Sequence, residues 1–275
     1  MSTKRVRLVV AYDGTEFNGW AAQAGRRTVN GILTSTIRQI SGEDNEIIGA
    51  SRTDSGAHAR GQVAHFDSAL PIEPKDWARI LNRRLPRDLA VKRSGEVPRW
   101  FHSRFCAEDR TYTYRIRTKA RDPQTTRFVH EYGRPLDAEC MQVAAQGLVG
   151  RHDFRAFSEE LPRDVHAVRN LYALEVRSRR DQIEITIRGT AFVRGMMRRI
   201  SGGLLEVGRG RRTSEELIAL LDPQQRDLLH WPVVLPAAGL TLDRVRYGRP
   251  LRDARDSVKQ HDLVETTPPE NNSDE

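Results

Sequence analysis

One short stretch of the chain concentrates groups able to do chemistry: Ala50-Ser51-Arg52-Thr53-Asp54-Ser55-Gly56-Ala57-His58-Ala59. A carboxylate, Asp54, stands two residues after Arg52 and two before Gly56, and the stretch separates two predicted strands. A polar loop anchored by strands at both ends holds a reactive side chain in place. A plain Asx turn competes with this reading, with Asp54 capping backbone donors and Gly56 supplying a positive φ. Spacing alone leaves both open. His58 reads as a hydrogen-bonded loop residue. His58, His65 and His102 lack compact metal-ligand spacing, neither Cys106 nor Cys140 lies near a partner pair, and no metal is assigned.

The elements that must position this loop are legible from periodicity. Val6, Leu8, Val10 and Tyr12 alternate with more polar neighbours, a half-buried strand that ends at the Asp13-Gly14 turn. Val29, Ile32, Leu33, Ile37 and Ile40 fall at helical spacing, with Gly42 as a stop. Strands are predicted at 46–50 and 61–67, a helix opening at Pro74 that buries Trp77, Ile80 and Leu81, and a strand at 89–93. Proline fits a first helical turn. The order is β-α-β-β-α-β, a ferredoxin-like unit.

The second half repeats the order. Tyr112, Tyr114 and Ile116 share one face of a predicted strand, residues 137–149 form a helix begun by Asp137, and 171–177 with Ile183, Ile185 and Ile187 form a hairpin about a polar turn at 178–182. Val193, Met196, Met197, Ile200, Leu204 and Val207 make a helical stripe over 192–207. Thr213 and Glu216 form a capping box for another helix, and Val245 and Tyr247 sit in a last strand near 240–247. The fold class is α+β, with an N-terminal unit over 1–105 and a C-terminal unit over 106–250.

Charge points to a polyanionic partner. Lys and Arg number 45 against 37 acids, for a net charge of +8, and all but five of the cations are Arg. The planar guanidinium suits phosphate and stacks on bases, although an Arg-rich coding bias produces the same composition. Residues 251–275 are acidic and read as a solvated, disordered tail, so the preceding body is more basic than the whole. No run approaches the ~20 apolar residues of a membrane span, and two cysteines make no disulfide framework, so a reducing cytoplasm is expected.

The wider pattern identifies a family. Tyr12-Asp13-Gly14, Phe17, Gly19-Trp20 and Thr28-Val29 precede the Asp54 loop, and Gly61-Gln62-Val63, His65-Phe66, Phe101-His102-x-Arg104-Phe105, Arg110-x-Tyr112-x-Tyr114, Asp153-Phe154, Phe157, Ala191-Phe192-Val193, Met196-x-Arg198, Ile200-x-Gly202 and Glu206-Val207-Gly208 follow in order. Over about residues 5–250 this resembles the TruA-type tRNA pseudouridine synthases. The usual Gly-Arg-Thr-Asp-Ala-Gly of that family has Ser51 and Ser55 at its first and fifth places here, and Ala21 and Asn30 stand where two Gln side chains are usual.

The resemblance implies the pseudouridine synthase fold, with two ferredoxin-like subdomains sharing a long mixed, mainly antiparallel sheet. It also implies a homodimer, a basic cleft for tRNA, and isomerisation of uridine to pseudouridine at positions 38, 39 and/or 40 of the anticodon stem-loop without a cofactor. Asp54 takes the place of the essential carboxylate, as nucleophile or as stabiliser of the electron-poor sugar carbon. Arg198 takes the place of its ion-pair partner; read without the family, it is a solvated helix-face cation beside Arg194 and Arg199. Tyr112 takes that of the tyrosine packed on the target uracil, with Tyr114 left to the core. Arg52 is assigned to RNA binding and base flipping. Arg26-Arg27, Arg83-Arg84, Arg179-Arg180 and Arg209 with Arg211-Arg212 are further phosphate candidates. A non-catalytic RNA-binding protein on the same scaffold is the alternative. A phosphate-handling enzyme lacks a P-loop or metal cluster to support it.

Overall fold

The computed structural model describes residues 3–158, 161–162, 165–226 and 231–248. The acidic segment 251–275 lies outside the described residues.

The first half runs β1 (Lys4–Tyr12), α1 (Val29–Ser41), β2 (Ile48–Gly49), β3 (His58–Ser68), α2 (Trp77–Asn82) and β4 (Leu89–Val97). The second runs β5 (Ala107–Arg117), β6 (His130–Glu131), α3 (Ala138–Gln146), β7 (Gly150–Asp153), β8 (Val168–Arg179), β9 (Gln182–Gly189), α4 (Met196–Gly208), α5 (Ser214–Ala219), α6 (Pro223–Arg226) and β10 (Leu240–Tyr247). Both sets of strands join one sheet in the order β4-β1-β3-β10-β5-β9-β8-β7, with β2 on β3 and β6 on β5. The segments β4-β1-β3 with β2, and β10-β5-β9-β8, each have the strand order of a ferredoxin-like unit. Pairing is antiparallel apart from β5 with β6 and the junction of the two units, where β10 lies parallel to β3 through Thr241 opposite His58 and Leu242 opposite Ala59.

Local signals explain most boundaries. The Thr28 side chain accepts from the Gly31 N–H at the start of α1, and Gly42 closes that helix in the left-handed conformation. Asp137 caps α3 through the N–H groups of Glu139 and Cys140, and Thr213 with Glu216 forms the capping box of α5. Val6, Leu8, Val10 and Tyr12 enter the core as the alternation requires, together with Val29, Leu33, Ile37, Trp77 and Leu81.

Several boundaries differ from expectation. The strand at 46–50 shortens to Ile48–Gly49, since only the end of the run reaches β3. The helix placed over 192–207 begins at Met196, because Gly195 sits at φ 72° just before it. Pro74 opens a 3₁₀ turn, and the α-helix proper starts at Trp77. The short strands β6 and β7 carry too few residues to show a period of two.

The connection between the two halves is pinned at Ser103. Its hydroxyl donates to the Ile48 carbonyl (2.6 Å), its N–H donates to His65 Nδ1 (3.2 Å), and its carbonyl accepts from the Tyr247 hydroxyl (2.7 Å). Burial, with the Arg5 and His102 charges adding to it, pushes the His65 imidazole down to about 4. The folded state therefore holds a neutral His65 where the unfolded chain would be protonated. Its stabilising contribution is complete above the ordinary value of 6.5 and is lost as pH falls toward about 4. Urea unfolding at pH 7 and pH 5 is expected to show a loss of about 2 kcal/mol from this group. His65→Asn should shrink the difference between the two pH values; an unchanged difference would remove His65 as its source.

Candidate active site

Asp54 projects from the loop between β2 and β3, and the loop is built so that its side chain is not used in the turn. The Ala57 N–H donates to the backbone carbonyl of Asp54 (3.1 Å), and Gly56 takes φ 79°. The turn is therefore closed by main chain, and the Asx-turn reading of Asp54 does not hold. The carboxylate instead receives Arg198 Nη1 on Oδ2 at 3.2 Å, and among the described residues Oδ1 accepts no hydrogen bond. Both side chains are about four-fifths buried, at 22% and 19% exposure, so solvent screening of the pair is weak.

The loop is clamped from several sides. Thr53 bonds to the Tyr12 hydroxyl through its Oγ1 (2.8 Å), and its carbonyl accepts from the Trp20 N–H (3.1 Å). Gln62, fully buried, donates to the Ser51 carbonyl (2.7 Å). Gly19 lies at φ 82°, and a Cβ there would stand 2.7 Å from the Thr53 carbonyl oxygen. These contacts give physical content to the motifs around Tyr12, Gly19-Trp20 and Gln62.

From the second unit, β5 presents Arg110 and Tyr112 to the same loop. The Tyr112 hydroxyl shares a 2.6 Å hydrogen bond with Ser51 Oγ, and its ring meets Phe192 edge-on with centroids 5.1 Å apart. Burial raises the phenol, opposed by the Ser51 hydroxyl and the Arg110 charge, while the Asp54 charge adds to the rise. Arg110 is buried and directs its guanidinium at main-chain carbonyls: Thr190 (2.6 Å), Ala107 (3.3 Å), Arg104 (2.7 Å) and Ala50, the first residue of the loop (3.2 Å). A cation removed from water is tolerated when its donors are satisfied in this way. Burial nonetheless lowers its proton affinity.

Arg198 belongs to the first turn of α4, and its Nε donates to the Leu235 carbonyl at 2.6 Å while Nη1 meets Asp54. The fork is thus divided between a neutral anchor and the carboxylate. Of the residues expected at the site, Asp54 and Arg198 are paired, and Tyr112 reaches the loop through Ser51. Arg52 is exposed and makes no hydrogen bond or ion pair among the described residues. Tyr114 is fully buried, as the core assignment requires. His58 is also buried: its Nδ1 accepts from the Gly14 N–H (2.9 Å), so the proton sits on Nε2, 3.2 Å from the Ala238 carbonyl. Burial holds that imidazole below its ordinary range, in keeping with a structural role.

Sequence reasoning missed Arg110 as a clamp and the 235–236 main chain as an anchor. A buried position for an Arg has a sequence signal in its spacing two before Tyr112 on one strand face. A carbonyl has none. The phosphate candidates divide: Arg27, Arg179, Arg209 and Arg212 are tied to Asp88, Glu184, Glu206 and Glu216. Arg26, Arg83, Arg84, Arg180 and Arg211 carry no ion pair among the described residues.

A family model described as tRNA pseudouridine synthase matches residues 8–106 and 144–248. The chain belongs to this family. The tRNA pseudouridine synthase A of Brevibacillus brevis is 39% identical over 248 residues, which cover 89% of this chain and 100% of that protein. Its counterpart in Halalkalibacterium halodurans is 38% identical over 226 residues, 82% of this chain and 86% of the relative, and that of Rippkaea orientalis is 38% identical over 246 residues, 89% and 83%. The paired ferredoxin-like units on one sheet are the pseudouridine synthase fold. Departures from the usual family pattern are absorbed locally. Ser51 bonds to Tyr112, Ser55 Oγ donates to the Phe17 carbonyl (3.3 Å), and Asn30 donates to the Ile47 carbonyl (2.7 Å).

Gly19→Ala combines an unfavourable φ with overlap on the Thr53 carbonyl, and denaturant unfolding is expected to show a loss of about 1–3 kcal/mol. A neutral substitution would mean that the loop is less constrained than its contacts indicate.

Proposed function

We propose that this chain isomerises uridine to pseudouridine at positions 38, 39 and/or 40 of the tRNA anticodon stem-loop, with Asp54 as the essential carboxylate. The observation that carries the reading is the state of that carboxylate. One oxygen is held by Arg198 at 3.2 Å, while the other is unengaged among the described residues. An anchored carboxylate with an open oxygen suits attack on, or stabilisation of, an electron-poor sugar carbon. The N1–C1′ bond of the nucleotide breaks, the uracil turns, C5 bonds to C1′, and the C5 proton is released as N1 takes one up. Oxidation level is unchanged, so the reaction calls for no redox cofactor.

Tyr112 supplies a flat surface beside the carboxylate on which a flipped uracil rests and turns. Its hydroxyl is held by Ser51, and the edge-on packing of Phe192 limits the tilt of the ring. Arg52, exposed and without an anion partner among the described residues, serves the RNA backbone next to the extruded nucleotide. Unstacking that nucleotide costs a few kcal/mol. Arg83, Arg84 and the other unpaired cations offset it through phosphate contacts. The chain is read as a cytoplasmic homodimer that needs no metal, with catalytic units over 1–105 and 106–250. The binding-only alternative has no use for a carboxylate at the centre of a cationic site, where it would repel phosphate.

The test is tritium release from tRNA labelled at uracil C5. The parent chain should release the label, and Asp54→Ala should lower release by at least about 10⁴-fold with tRNA affinity kept within about threefold. Equal release by the variant would overturn the role of Asp54, and no release by the parent would favour binding alone. A chain ending at residue 250 should retain the parent's rate within about twofold. A truncated chain that binds tRNA without releasing the label would place the tail in the machinery.

A further inference from the structure

The segment that enters β10 is packed along α4. Arg199 Nη1 donates to the Pro232 carbonyl (2.9 Å), and Gly202 lets the Val233 carbonyl approach where any Cβ would overlap it. Leu235 then supplies the carbonyl that holds Arg198 Nε (2.6 Å). The next carbonyl, that of Pro236, accepts from the Tyr114 hydroxyl at 2.7 Å. Gly239 passes over the same ring, with its backbone too close for a side chain: a Cβ would stand 2.7 Å from Tyr114 Cζ.

We propose that Tyr114 is a positioning residue for the isomerisation: its hydroxyl fixes the 235–236 main chain, which in turn aims Arg198 at Asp54. The ring belongs to the core. A phenylalanine would fill that volume equally well, whereas the hydroxyl has one hydrogen-bond partner among the described residues, a carbonyl adjacent to the one that anchors Arg198. Burial keeps the phenol protonated at any ordinary pH, so it is a permanent donor, and the Arg198 charge lies close enough to oppose that rise. β5 thus serves both halves of the ion pair from one face. Arg110 and Tyr112 hold the loop that carries Asp54, and Tyr114 holds the strap that carries the anchor of Arg198. Without the hydroxyl, the 235–236 carbonyls gain freedom to turn and the guanidinium loses its fixed direction. A displacement well under the length of a hydrogen bond is enough to slow a positioned reaction.

The inference rests on the isomerase reading above, and a double-mutant cycle separates the two. Single-turnover tritium release is measured at saturating enzyme, well below the unfolding transitions of all variants, for the parent, Tyr114→Phe, Arg198→Lys and the double variant. Asp54→Ala is the control. Tyr114→Phe is expected to slow release about fivefold in the parent, with the enzyme concentration for half-saturation unchanged within about twofold, and to slow it less than about twofold in the Arg198→Lys background. The same fivefold fall in both backgrounds, or no fall in the parent, would overturn the positioning role and leave the isomerase reading standing. Release by the Asp54→Ala control would instead overturn that reading.

Discussion

Two antiparallel half-sheets meet along a parallel contact of only two residue pairs, Thr241 with His58 and Leu242 with Ala59. That seam is the constraint on which the site depends. His58 is the first residue after the Asp54 loop, and Thr241 follows closely on the segment whose Leu235 carbonyl anchors Arg198. Joining the half-sheets there, and not elsewhere along their edges, brings a carboxylate from one unit within 3.2 Å of a guanidinium from the other. His58 ties the same place from a second direction, through Gly14 on one side and Ala238 on the other. β2 pairs farther along the same edge of β3, at Ala64 and His65.

Charge at the site is governed by how each cation is satisfied. Arg110 is buried on carbonyls alone and competes for no carboxylate. Arg198 spends one edge on a carbonyl and the other on Asp54. Arg52 makes no hydrogen bond or ion pair among the described residues. A buried cation with satisfied donors is a structural part, a half-engaged one is an orienting part, and an unengaged one is available to an incoming anion. The same residue type therefore performs three jobs, and surroundings, not identity, assign them.

Much of this was legible in the sequence because its signals are local. Alternation in β1 and β5, the Asp137 and Thr213 caps and the stop at Gly42 place their elements, and the order of elements specifies two ferredoxin-like units. The Asp54 loop stood out by composition, but its turn chemistry was open: whether Asp54 caps backbone or faces outward depends on whether Ala57 can reach the Asp54 carbonyl, which only coordinates reveal. Arg198 carried a motif but no sign of its anchor, because main-chain acceptors have no residue signature. The Arg pairs looked alike in sequence and separate in space, since Arg27 finds Asp88 sixty-one residues away while Arg83 and Arg84 find no acid among the described residues.

β10 is the last described strand of the chain and lies in the middle of the sheet, between β3 and β5. Its neighbours must therefore wait, with open edges facing each other, until Leu240–Tyr247 has been made. Synthesis proceeds from the N-terminus at about 5–20 residues per second. For many seconds a nascent chain thus holds Asp54 on a completed first unit with neither the Leu235 anchor nor the closing strand in place. Long-range pairing of this kind slows folding and leaves edges exposed to mispairing. Insertion of this central strand both seals the sheet and completes the ion-pair anchor.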